Sequence, residues 1–149
     1  MTRTRRRQAQ APAQRLILDS GAVIAWARGD MHARALLTRA LALDVRIPIA
    51  VLAETLRGGP RDAPIYRVRN SVDVFPTEEP TARLAGALLG RIGGTNTVDA
   101  LVAAEAVTAA ADVLTSDADD LRALLAGHPS VTVISLWVRR HSVTCSPLW

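Results

Sequence analysis

Short apolar runs that alternate with longer helical stretches constrain this chain more than any other feature. Residues 15–18, 45–49, 71–75, 113–115 and 131–137 read as strands, because each is brief, apolar and bounded by turn residues or charges. Between them, residues 22–28, about 31–43, 50–57, about 62–69, 79–92, 97–110 and 117–126 carry helical spacing. Leu84, Leu88 and Leu89 form one apolar stripe, and 97–110 is rich in alanine. Strands joined through helices cannot pair as hairpins. They require crossover connections, which makes this an α/β chain with a central parallel sheet and helices on both faces.

The chain has 149 residues, 49% of them apolar, enough for one domain with a sizeable core. Residues 1–14 lack apolar periodicity and read as a disordered Arg-rich N-terminal arm; 15–138 read as the folded domain and 139–149 as an irregular C-terminal tail. The net charge of +4 first suggests an acidic partner such as nucleic acid. Its distribution qualifies that inference. Arg3, Arg5, Arg6, Arg7 and Arg15 precede the first acid, Asp19, and residues 16–149 hold thirteen Arg against all fourteen acids. The basic character belongs mostly to the arm.

All eighteen positive residues are Arg. Without lysine the chain has no P-loop, no Schiff-base chemistry and no kinase-type phosphate lysine. Cys145 stands alone, so intramolecular disulfides and Cys-rich zinc sites are excluded. His32, His128 and His141 are scattered singly. No apolar run approaches the ~20 residues of a membrane helix, and Gln8 to Gln14 stands where a signal peptide would be apolar. A soluble cytoplasmic protein is expected.

The acids carry the chemistry. Open parallel sheets place their sites beyond the carboxyl ends of the strands. Asp19 follows the first strand, Asp117 follows the fourth, Asp99 opens a helix, and Glu54 lies among Val51, Leu52, Ala53 and Leu56. If the four meet, two carboxylates ~4 Å apart repel by roughly 4 kcal/mol at an effective dielectric near 20. A divalent cation is the natural counter-charge, and all-oxygen ligation favours Mg²⁺ or Mn²⁺. Such a metal suits phosphodiester hydrolysis. Each acid also has a structural reading: Asp19 as a helix cap, Asp99 as a first-turn acid, Glu54 as a partner of Arg57. Asp119 and Asp120 read as N-terminal helix acids, with Ser116 and Asp119 at capping-box spacing.

Leu16-Ile17-Leu18-Asp19-Ser20-Gly21-Ala22, Val51-Leu52-Ala53-Glu54 with Arg57-Gly58-Gly59-Pro60, Val98-Asp99-Ala100 and Val113-Leu114-Thr115-Ser116-Asp117-Ala118-Asp119-Asp120-Leu121 together resemble PIN-domain proteins, and among them the VapC toxins of type II toxin–antitoxin systems. The likeness spans about residues 15–136. It implies a three-layer α/β/α ribonuclease whose acidic quartet, Asp19, Glu54, Asp99 and Asp117, is catalytic and binds Mg²⁺ or Mn²⁺. It also implies cleavage of structured RNA, such as tRNA or rRNA, leaving a 3′-hydroxyl and a 5′-phosphate. The partners implied are a second copy of the chain and a VapB-like antitoxin that can place an Arg in the acidic site.

Ser20, Asn96, Thr115, Ser116 and Asp119 are candidates to support the acids by hydrogen bonding. Arg57, Arg61, Arg67 and Arg69 are candidates to contact RNA phosphates, or form a solvated face. Asn96 departs from the family pattern, in which another Asp often stands there, leaving one metal or two open. Trp26 is expected to pack rather than stack a base, because five aromatics serve the whole chain and no aromatic-rich platform is visible. Two other functions remain: a PIN-fold interaction protein whose acids bind antitoxin Arg, and a DNA-directed nuclease of the wider PIN group.

Overall fold

A computed structural model describes residues 14–137. Five strands, β1 (Arg15–Leu18), β2 (Asp44–Pro48), β3 (Asp73–Phe75), β4 (Asp112–Thr115) and β5 (Val133–Ser135), form one parallel sheet in the order β3-β2-β1-β4-β5. The chain lays down β2 and β3 on one side of β1, then crosses back to place β4 and β5 on the other. The direction of winding therefore reverses between β1 and β4, where Leu18 pairs with Leu114.

Seven α-helices connect the strands: α1 (Ser20–Ala27), α2 (Met31–Ala40), α3 (Ile49–Thr55), α4 (Ala63–Ser71), α5 (Glu79–Ile92), α6 (Thr97–Ala109) and α7 (Ala118–Leu124). Helices α2, α3 and α4 pack around α1, whereas α5 and α7 pack against α6, giving the expected three-layer α/β/α fold. Helix α3 touches both α1 and α6, so it closes the carboxyl edge of the sheet. Ala100, Ala103, Ala104 and Ala106 are buried on α6. Their small side chains let the helix lie close to strands β1, β2 and β4 on one side and to α5 on the other.

Where boundaries differ from the periodicity, pairing explains it. Helix α2 stops at Ala40 rather than near 43, because Asp44 must enter the ladder beside Arg15, where its N–H donates to Gln14 O at 3.1 Å. Strand β3 starts at Asp73, since α4 continues through Ser71. Strand β5 covers only Val133–Ser135, the residues that face Val113, Leu114 and Thr115. Gln14, assigned to the arm, thus extends the sheet; residues 1–13 of the arm and the tail 139–149 lie outside the described residues. Among the described residues no helix is long and apolar enough to cross a membrane.

Ile17 is fully buried in the central strand, among the apolar residues of both helical layers. Ile17→Ala is expected to destabilise the fold by about 3–4 kcal/mol, read as a lower urea midpoint at unchanged slope.

Candidate active site

The winding reverses between β1 and β4, and the carboxyl edge of the sheet at such a reversal is where open parallel sheets place their sites. Asp19 stands there, as the residue after β1 and the N-cap of α1. Its N–H donates to Leu114 O of β4 at 3.0 Å. Its Oδ1 accepts from the Ser20 N–H at 2.7 Å, and its Oδ2 accepts from the Thr115 hydroxyl at 2.8 Å. The same Thr115 oxygen accepts from the Asp117 N–H at 3.1 Å. One buried hydroxyl thereby joins the carboxylate after β1 to the backbone of the acid after β4.

Glu54 reaches the edge from α3, where its Oε2 accepts a short hydrogen bond from the Ser20 hydroxyl. The Glu54–Arg57 pair does not form, because the Arg57 guanidinium donates to Leu56 O at 2.8 Å. The loop that follows α3 turns through Gly58 and Gly59 at φ +79° and +121°, a region that side chains disfavour. Buried Asp62 holds this loop by accepting from the N–H groups of Arg57, at 3.0 Å, and Gly58, at 2.7 Å. Nothing in the sequence pattern singled out Asp62, because its partners are backbone groups.

Asp99 is half-buried in the first turn of α6, and Asn96 caps that helix by accepting from the Asp99 N–H at 3.1 Å. Burial first, then the charges of Asp19, Glu54, Asp120 and Asp117, push the Asp99 carboxyl up to about 6. Burial likewise raises Asp19. The hydrogen bonds from Thr115 and Ser20 oppose that rise, while the charges of Glu54 and Asp117 add to it. The four acids therefore act on one another across a single edge.

They do not close on a common point. Among the described residues no three acidic, His or Cys side chains gather as a ready metal cage, and none of the four acids is ion-paired. The donors on offer are oxygens alone, which fits a hard divalent cation such as Mg²⁺ or Mn²⁺ better than zinc.

Several expectations are corrected. Ser116 is exposed and makes no hydrogen bond to the acids among the described residues. The Ser116–Asp119 capping box does not form: Asp117 is the N-cap of α7 and makes no side-chain cap bond. Asp119 pairs instead with Arg122 at 3.8 Å, and Asp120 is the α7 acid whose charge bears on Asp99. Arg57, Arg61, Arg67 and Arg69 are all exposed, none of them in an ion pair among the described residues. Trp26 packs against the core as expected.

Gly21 explains how the two strand ends come so close. A Cβ added there would lie 2.7 Å from Ser116 Cβ and 3.1 Å from Ser116 N, and would overlap the Ser116 hydroxyl outright. The missing side chain lets the turn between β4 and α7 rest on the first turn of α1.

Residues 16–124 match the PIN domain family model. No curated protein matches the sequence. Among solved structures, a chain of VapBC2 from Rickettsia felis, crystallised with a DNA fragment from its promoter, is similar with a TM-score of 0.68 at 14% identity, covering 84% of this chain and 100% of that one. A toxin–antitoxin complex from Klebsiella pneumoniae gives 0.64 at 19% identity, covering 82% and 98%. VapBC-5 from Mycobacterium tuberculosis, a member of the VapBC family of toxin–antitoxin systems, gives 0.55 at 27% identity, covering 81% and 98%.

Two outcomes follow from this geometry. Gly21→Ala is expected to destabilise the protein by about 1–3 kcal/mol in urea unfolding, and adding Ser116→Gly to recover most of the loss. A loss in the double variant equal to the sum of the two single losses would contradict the contact. For Asp99, the folded carboxyl is raised above its ordinary 3.8, so folding favours its protonated form. Stability of the metal-free protein is full below pH ~4, falls as pH rises to ~6 and is level above. Asp99→Asn is therefore expected to raise the Tm of EDTA-treated protein by a few degrees at pH 7.5, on the order of 1 kcal/mol after allowance for solvent screening, and to leave it unchanged at pH 3.5.

Proposed function

The chain belongs to the PIN-domain family, and from that premise we propose that it is a Mg²⁺- or Mn²⁺-dependent endoribonuclease, the toxin of a VapBC-like toxin–antitoxin pair acting in the cytoplasm. The observation that carries the reading is the group of carboxylates at the switch of winding: Asp19, Glu54, Asp99 and Asp117, mutually repelling and without a protein cation among the described residues. Acids kept together at that cost suit a divalent cation, and a cation held by acids suits phosphodiester chemistry.

Asp19 is the proposed central ligand, since two hydrogen bonds fix both of its oxygens while leaving further lone pairs for a cation. Ser20 orients Glu54, and Thr115 orients Asp19 and the backbone of Asp117. Asn96 sets the start of α6 and so the position of Asp99. When bound, Mg²⁺ or Mn²⁺ supplies Lewis-acid stabilisation of the charge on the scissile phosphate. Exposed Arg57, Arg61, Arg67 and Arg69 offer guanidinium groups to the phosphates of a structured RNA such as tRNA or rRNA. The structural relatives belong to toxin–antitoxin systems, which supports a VapB-like antitoxin as partner; a second copy of the chain, forming a homodimer, is the other partner proposed, on the family resemblance alone.

Asn96 favours one competing reading. Its amide caps a helix where an acid would add charge, so the fold can also serve as a binding protein without cleavage. Wild-type protein is expected to cleave RNA with Mn²⁺ and to stop when EDTA is added. Asp19→Asn and Asp117→Asn should each lower the rate at least 100-fold and weaken Mn²⁺ binding in calorimetry. Mn²⁺ binding with no cleavage of RNA would support the binding protein, and cleavage confined to DNA would move the chain to another branch of the family.

A further inference from the structure

Beside the acidic edge, on the far side of Ser116, lies a cleft of about 530 Å³ between α1 and the chain that leaves β5. Gly21, Ile24, Arg28, Asp30, Ser116 and Trp137 line it. Leu136 N–H donates to Thr115 O at 2.8 Å, which carries the end of β5 to the corner that bears Asp117. Ser135 then fixes the next residue: its hydroxyl donates to Trp137 O at 2.8 Å and accepts from the Trp137 N–H at 3.3 Å. The indole stacks on His32 of α2, with ring centroids 6.1 Å apart and planes 28° from parallel. Trp137 still keeps 45% of its surface exposed.

Arg28 supplies the charge. It is exposed at the end of α1, and its guanidinium has no hydrogen bond or ion pair among the described residues. The acid in the same cleft, Asp30, is already engaged, accepting from the Ala33 N–H at 2.8 Å as the N-cap of α2. An aromatic surface beside an unpaired guanidinium is the pairing that binds single-stranded nucleic acid, the ring taking a base face and the cation a phosphate. Helix α1 is ~12 Å long, so a strand with a phosphate at Asp19 reaches Arg28 within a few nucleotides.

We propose that this cleft is a subsite for unpaired nucleotides flanking the cleaved bond, with Trp137 stacking a base and Arg28 holding a phosphate. The proposal rests on the nuclease reading above and adds to it where the substrate strand runs. It assigns the stacking role to the Trp137–His32 pair, the platform that chain position alone did not reveal.

The test uses the full chain and a fluorescein-labelled 12-nucleotide single-stranded RNA of mixed sequence. Anisotropy in EDTA reads binding without cleavage, and initial rates in Mn²⁺ read kcat and KM. Trp137→Ala is expected to weaken binding and raise KM roughly tenfold, with kcat within twofold of wild type; Trp137→Phe should recover most of the affinity. Arg28→Ala should weaken binding and reduce the slope of log affinity against log salt by about one. Its readout stands on its own if loss of the indole disturbs the fold. Variants that bind and cleave like a cleaving wild type would overturn the subsite and leave the nuclease reading intact. A wild type that cleaves structured RNA in Mn²⁺ but neither binds nor cleaves this strand would overturn the subsite alone, and one that cleaves neither RNA would overturn both.

Discussion

The pairing of β1 with β4 is the constraint on which the rest of the structure depends. These strands are distant in sequence, yet the return crossing from β3 sets them side by side and brings Thr115 to the end of Asp19. A lone buried carboxylate costs several kcal/mol. Here the Ser20 N–H and the Thr115 hydroxyl offset much of that cost, and the same hydroxyl receives the Asp117 N–H. Starting helix α1, seating Asp19 and placing the corner before α7 are thus one arrangement. Gly21 permits it, because a side chain there would push the corner away.

Around that junction, apolar packing holds acids where electrostatics alone would separate them. The alanines of α6 bring Asp99 down to the edge, and α3, wedged between α1 and α6, brings Glu54. The elevated carboxyl of Asp99 records the tension, first through burial and then through its acidic neighbours. Stability and the proposed chemistry pull in opposite directions at this edge, as expected where charges are gathered for a ligand that is not a side chain.

Much of this was legible in the order of residues. Strand and helix periods are local properties, so the five strands and seven α-helices of the described residues were anticipated, and only the ends moved when a neighbouring strand captured or released a residue, as at Ala40 and Asp73. The positions of Asp19 and Asp117 followed from the rule that parallel sheets work at their carboxyl ends. The finer assignments failed where helix phase decided them. Asp119 and Asp120 differ by ~100° around α7. Without a side-chain cap to set the start of that helix, spacing did not reveal that Asp119 meets Arg122 and that the charge of Asp120 bears on Asp99. Asp62 escaped notice because backbone amides, which every residue carries, are its partners.

The sequence by itself determined the class of fold, the PIN resemblance and which acids fall at strand and helix ends, because alternating periods and the acids that follow them are written within a few residues of one another. Only the tertiary structure decided what those acids touch and what lies beside them: that Thr115 links Asp19 to Asp117, that Ser20 rather than Arg57 meets Glu54, and that Arg28 and Trp137 line one cleft while His32 stacks on the indole. The reason is physical. Periodicity reports which way a side chain faces within its own element, whereas contacts between elements far apart in the chain depend on the order in which strands join the sheet.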